Sequence, residues 1–297
     1  MNLSATNFGK ARNFLLSNAR ILERRLFHYH FNGGSKEGVF HAILAYQNSD
    51  GGFGHGLEPD TSSPESQPLF TQMALDILDE IDYFEPAVID RVMPYLVSIT
   101  TESGGLPWML NPISDYPRAF HFNIVDELPA IHPTAPILGL LIKHGIEHPW
   151  MNMAEEFCWD GITASTEALC SACILRHILF LEQRMDDPRA KVEITKIKKR
   201  ILEPGIISYD PNQENIGLHG SPSPLNYVPT PYSILRSEFT DEQIERDLDR
   251  LIVQQQEDGR WATSYGVSPG TRLEWDGMHT LNNLKILKAY GRIEQDE

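Results

Sequence analysis

Apolar positions recur at helical rather than strand spacing through most of this chain. In Lys36–Gln47, the residues Val39, Phe40, Ile43, Leu44 and Tyr46 fall close to one stripe, and Glu85–Ile99 repeats the pattern with Val88, Ile89, Val92, Tyr95, Leu96 and Ile99. Asp241–Gln255 sets Ile244, Leu248, Leu251 and Ile252 on one side, behind Thr240 as N-cap and Gln243 at its third position. The other faces of these segments are polar, which predicts half-solvated helices. A second set is more apolar and begins near a threonine: Thr71–Leu78, Thr134–Ile142, Thr166–Leu181, Thr230–Leu235 and Thr280–Ala289. Helices apolar on nearly all sides are expected to be enclosed by others. Leu3–Leu26 predicts one further helix, and alternating β-branched runs are nearly absent.

Between the two sets lies a recurring turn. Gln47-Asn-Ser-Asp50-Gly51-Gly52-Phe53 and Gln255-Gln-Glu-Asp258-Gly259-Arg-Trp261 are one phrase, 208 residues apart, which is four times 52. Weaker copies are Ser103-Gly104-Gly105, Trp159-Asp160-Gly161 and Tyr209-Asp210-Pro211-Asn212. Turns at 50, 103, 160, 210 and 258 give intervals of 53, 57, 50 and 48 residues. Half-polar and apolar helices alternating on a ruler of about 52 residues predict an all-α chain closed into an α/α toroid. The apolar helices would lie inside it, and a single domain would span residues 1–297.

The Gln47–Phe53 and Gln255–Trp261 phrases resemble the QW-type repeat of squalene–hopene cyclases and the related repeat of protein prenyltransferase β subunits. The resemblance implies an α/α toroid of the terpenoid cyclase and prenyltransferase superfamily, with chemistry in a central cavity. The motif itself reads as scaffold, because Asp and Gly make a tight turn and Gln can bind nearby backbone. Prenyltransferases of this kind hold zinc through an Asp-x-Cys pair and a later His. Asp276-Gly-Met-His279 resembles the second element, but Pro224–Thr230 carries no Asp-x-Cys, so zinc is not expected. The D-x-D-D run of the cyclases is absent too.

A toroid directs the loops before its inner helices at the cavity mouth, and this selects the candidate chemistry. Those loops hold His55, Glu58, Asp60 and Glu65; Asp126, Glu127 and His132; His219 and Tyr227; and Glu274, Asp276 and His279. Leu57-Glu58-Pro59-Asp60 and Leu273-Glu274-Trp275-Asp276 repeat as L-E-x-D. Carboxylates paired beside an imidazole suit general acid–base work. The catalytic candidates are therefore Glu58, Glu274 and His279, with Asp60 and Asp276 either joining them or capping helices. His55, His132, Trp108, Tyr227 and Trp275 are candidates for holding substrate. Rings on this side could stabilise a cationic isoprenoid intermediate or stack on sugars. Two enzyme readings follow, one on an isoprenoid-like apolar substrate and one on carbohydrate; a non-catalytic binding protein is a third.

Cys170, Cys173 and His177 share a helical face, with Cys158 upstream, yet that segment is so apolar that the thiols read as small buried residues. A charge of −16 and a pI near 5.1 argue against nucleic acid as a partner and against docking on an anionic membrane. The longest apolar run, Ala135–Ile142, is too short to span a bilayer, and no secretory signal is visible. A cytoplasmic protein with a small-molecule or glycan ligand is expected.

Overall fold

The computed structural model describes residues 1–123, 126–164, 171–203, 206–207, 222–263, 266 and 268–294. Among these the chain is all-α in class. Its helices are α1 (Ala5–Asn18), α2 (Ile21–Phe31), α3 (Lys36–Leu44), α4 (Pro68–Glu80), α5 (Pro86–Ser98), α6 (Ile131–Lys143), α7 (Trp150–Ala164), α8 (Ser171–Glu182), α9 (Pro188–Ile201), α10 (Pro224–Tyr227), α11 (Asp241–Val253) and α12 (Pro269–Ala289). One antiparallel pair, β1 (Leu106–Pro107) and β2 (Pro129–Ala130), sets Leu106 opposite Ala130. No helix among the described residues is long and apolar enough to cross a membrane.

The chain forms two compact units. One comprises Met1–Gly34, Thr195–Ser264 and Arg272–Glu297; the other comprises Ser35–Ile194 and Tyr265–Thr271. In the second unit α6 packs against α4, α7 and α8 and is buried from Pro133 through Leu141. Its neighbour α4 is nearly as enclosed, whereas α5 and α7 bury one stripe each. In the first unit Leu3 pairs with Ile293, and the Arg292 guanidinium meets the Met1 carbonyl, Glu245 and Asp249, so the two chain ends are tied together.

Three turns share one construction. The N–H groups of Asn48, Thr101 and Gln256 donate to the carbonyls of Gly52, Gly105 and Arg260 at 2.8, 3.0 and 2.9 Å. Three residues on from each donor, Gly51, Gly104 and Gly259 have φ of +94°, +88° and +95°. A Cβ there would strike the backbone of Arg91 in α5, Met153 in α7 and Lys10 in α1, respectively. Only glycine tolerates both the dihedral and the close approach. The next apolar residue then locks to a threonine: Phe53, Leu106 and Trp261 donate their N–H to the hydroxyls of Thr71, Thr134 and Thr280 at 3.1, 2.8 and 3.0 Å. Gln47 and Gln255 brace two of the turns by donating to the Gly51 and Gly259 carbonyls at 3.0 and 2.9 Å. The threonines that open the apolar segments are thus the clasp between turn and following helix.

Several sequence expectations need correction. Leu3–Leu26 is two helices, because Ala19 and Arg20 are extended and Arg24 caps the Ala19 carbonyl at 2.7 Å. Trp159–Gly161 is no turn but lies inside α7. Ala154, Cys158 and Ile162 carry an unbroken buried stripe through it, and Gly161 leaves room for the Ile131 side chain. Thr230–Leu235 is not an α-helix; Pro229 and Pro231 lack N–H donors, and the Ser233 hydroxyl instead donates to the Thr230 carbonyl at 2.9 Å. The helix predicted from Thr280 already begins at Pro269. The Tyr209–Asn212 turn and the start of Thr166–Leu181 lie outside the described residues.

Candidate functional site

In the second unit, α4, α6 and α8 bring together five polar side chains on otherwise apolar helices. Gln67, buried and extended, precedes α4 and accepts the Leu110 N–H at 2.7 Å, while Pro68 opens the helix without a donor to lose. This sets Gln72 and Asp76 one turn apart on the same face. His132 stands at the head of α6 with non-helical φ −96° and ψ 113°. Arg176 and His177 come from α8.

The contacts form a chain. Arg176 Nη1 donates to Asp76 Oδ2 at 2.9 Å, Gln72 Nε2 donates to the same Oδ2, and Gln72 Oε1 lies 3.0 Å from His132 Nε2. Gln72 is fully buried and His177 is 3% exposed, whereas Asp76 and Arg176 keep 31% and 25% of their side-chain surface open. Burial pushes the Asp76 carboxyl up, with the Arg176 guanidinium opposing. Burial takes His132 down to about 3, helped by Arg176 and His177, and takes His177 down to about 4. Near neutrality both imidazoles are uncharged, and the Arg176 guanidinium is paired with the Asp76 carboxyl at 2.9 Å. The cluster therefore presents hydrogen-bonding groups rather than an unpaired cation.

The sequence-predicted residues are distributed differently. His132 joins the cluster just described. Glu58 and Asp60, at 7% and 4% exposure, knit their own loop: Glu58 accepts the Asp60 N–H at 2.8 Å, the Asp60 carbonyl accepts the Ala119 N–H at 2.7 Å, and its carboxylate lies 3.3 Å from His121. His55 is exposed at φ +56° in the same loop, and the Trp108 ring sits 5.4 Å from that of Phe122.

The remaining candidates belong to the other unit. Asp276, 1% exposed, accepts the Thr263 N–H at 2.8 Å and lies 3.5 Å from Arg260. Burial raises Glu274, opposed by Arg20, and lowers His279, opposed by Asp276. The Trp275 and His279 rings meet edge-on at 5.8 Å, and Tyr227 is buried in α10 beside Phe239. The second L-E-x-D segment is therefore helical and the first is loop. Cys158 is buried, and burial pushes its thiol up. Cys170 and His219 lie outside the described residues, as does the side chain of Cys173. Among the described residues, no group of three His, Cys, Asp or Glu side chains could hold a metal ion.

The expectations from sequence did not include Gln72, Asp76 and Arg176. The available signal was an amide and a carboxyl four residues apart on a helix otherwise made of Leu, Phe, Ala and Ile. No protein-family model matches this sequence, and no curated protein matches it.

Proposed function

We propose that this chain is an enzyme on an α/α-toroid scaffold of the terpenoid cyclase and prenyltransferase kind, acting on an uncharged, hydroxyl-bearing substrate of carbohydrate type. The chain Arg176–Asp76–Gln72–His132 on α4, α6 and α8 carries this reading. Asp76, ion-paired with Arg176, accepts from Gln72, and His132 is an imidazole that burial keeps neutral. A neutral imidazole held in place by buried hydrogen bonds suits the acceptor role of acid–base chemistry. An isoprenoid pocket calls for rings and aliphatic side chains, and a diphosphate calls for an unpaired cation, whereas Arg176 is already paired with Asp76. The toroid is supported by the three equivalent turns, by the seating of the last of them on α1, and by the tied chain ends.

The experiment is calorimetric titration with a panel of neutral oligosaccharides and, in parallel, farnesyl diphosphate. The expected result is an oligosaccharide whose affinity falls at least about tenfold, some 1.4 kcal/mol, in Asp76→Asn and in His132→Gln. Binding of farnesyl diphosphate alone, or equal affinity in both variants, would overturn the reading.

A further inference from the structure

Asp76 settles which way the Gln72 amide points. Its Oδ2 already accepts a hydrogen bond from Arg176, so the Gln72 atom facing it must be a donor, Nε2. With the amide reversed, Oε1 would confront a carboxylate oxygen, and two acceptors would share one gap. The Gln72 atom facing α6 is then Oε1, which can only accept. The His132 Nε2 at 3.0 Å must therefore carry the proton. Among the described residues His132 makes no other hydrogen bond, so Nδ1 keeps its lone pair.

We infer that Gln72 is a positioning residue that relays the polarity of the Arg176–Asp76 pair to His132, holding it as the Nε2–H tautomer with Nδ1 as an acceptor for a substrate hydroxyl. Glutamate would set a second carboxylate against Asp76, and leucine would supply neither donor nor acceptor. Gln72 is fully buried, so no water competes for the amide. The imidazole remains neutral down to about pH 3, so the tautomer and not the charge is what the relay controls. The substrate consequence rests on the function proposed above; the tautomer does not.

The test is ¹⁵N NMR of the histidine side chains in the full chain between pH 5 and 8, with His132→Gln identifying the His132 signals among the 11 histidines. The expected spectrum shows a protonated Nε2 and an imine-type Nδ1 for His132. In Gln72→Leu the two nitrogen shifts should move toward each other as the preference is lost. A protonated Nδ1 in the unaltered chain would overturn the inference, as would a folded Gln72→Leu variant with the same shifts. If Gln72→Leu does not fold, the spectrum of the unaltered chain still decides. Should no oligosaccharide bind while Nε2–H is observed, the substrate reading falls and the relay stands.

Discussion

At Gly104 the backbone reverses and lands against α7, while at Gly161, inside α7, it runs straight on; yet each glycine directly follows a polar residue, Ser103 and Asp160. What separates them lies outside the local phrase. Gly104 is pressed on the Met153 carbonyl and is followed by Leu106, whose N–H reaches the Thr134 hydroxyl. Gly161 faces only the flexible tip of Ile131, and Thr163 turns its hydroxyl back to the Trp159 carbonyl at 2.7 Å within its own helix. A turn of this repeat is therefore defined by a glycine with positive φ pressed on the backbone of a separate helix and a threonine waiting downstream. The Asp-Gly dipeptide alone does not make one.

The largest effect that could break this comparison is at the turn glycines. Gly259→Ala forces a Cβ to 2.3 Å from the Lys10 backbone at φ +95°, and should cost at least about 3 kcal/mol in urea unfolding. Gly161→Ala displaces only a side-chain tip and gains helix propensity, so it should stay within about 1 kcal/mol. Equal losses would mean that Gly161 is also held as a turn residue. Next come the threonines. Thr134→Val strands the buried Leu106 N–H and should cost about 1–3 kcal/mol. Thr163→Val, exposed on α7, should change stability by less than about 0.5 kcal/mol in the same assay.

A smaller, graded effect contrasts the buried face of α4, α6 and α8 with the solvated helices. His132 and His177 have folded pKa values near 3 and 4, below the ordinary 6.5, so between these limits the unfolded chain binds more protons. Their contribution is fully present above about pH 6.5 and is lost as pH falls toward the folded values. Each histidine should add at most about 1.4 kcal/mol per pH unit to the slope of stability in that window. His132→Gln should flatten the slope between pH 6.5 and 4.5 by about one proton. An unchanged slope would show that His132 is not buried neutral.

The half-polar helices were legible from sequence because each carries its own signals. Thr240 and Gln243 do form the reciprocal cap that opens α11, and Val88 through Leu96 do form the buried stripe of α5. What escaped was decided by neighbours far along the chain. Asp160-Gly161 is helical because the α7 stripe passes through it. The α12 start at Pro269 was hidden because Pro269, Gly270 and Gly277 are residues that ordinarily mark loops. The acidic residues of the L-E-x-D segments were visible, but whether they meet ligand or brace backbone depends on Ala119, His121 and Thr263. Gln72 and Asp76 were hidden for the opposite reason. On a single helix they read as two stray polar residues, and only α6 and α8 supply the His132 and Arg176 that turn them into a chain of hydrogen bonds.

That face is the centre of the account, and a crystal structure of the protein soaked with the neutral oligosaccharide that titration selects tests it most directly. The expected result is a sugar hydroxyl within hydrogen-bonding distance of His132 Nδ1, with further density against the open edges of Asp76 and Arg176. Sugar bound instead at Glu58 and His55, or beside Glu274 and His279, with the α4, α6 and α8 face untouched, would contradict it.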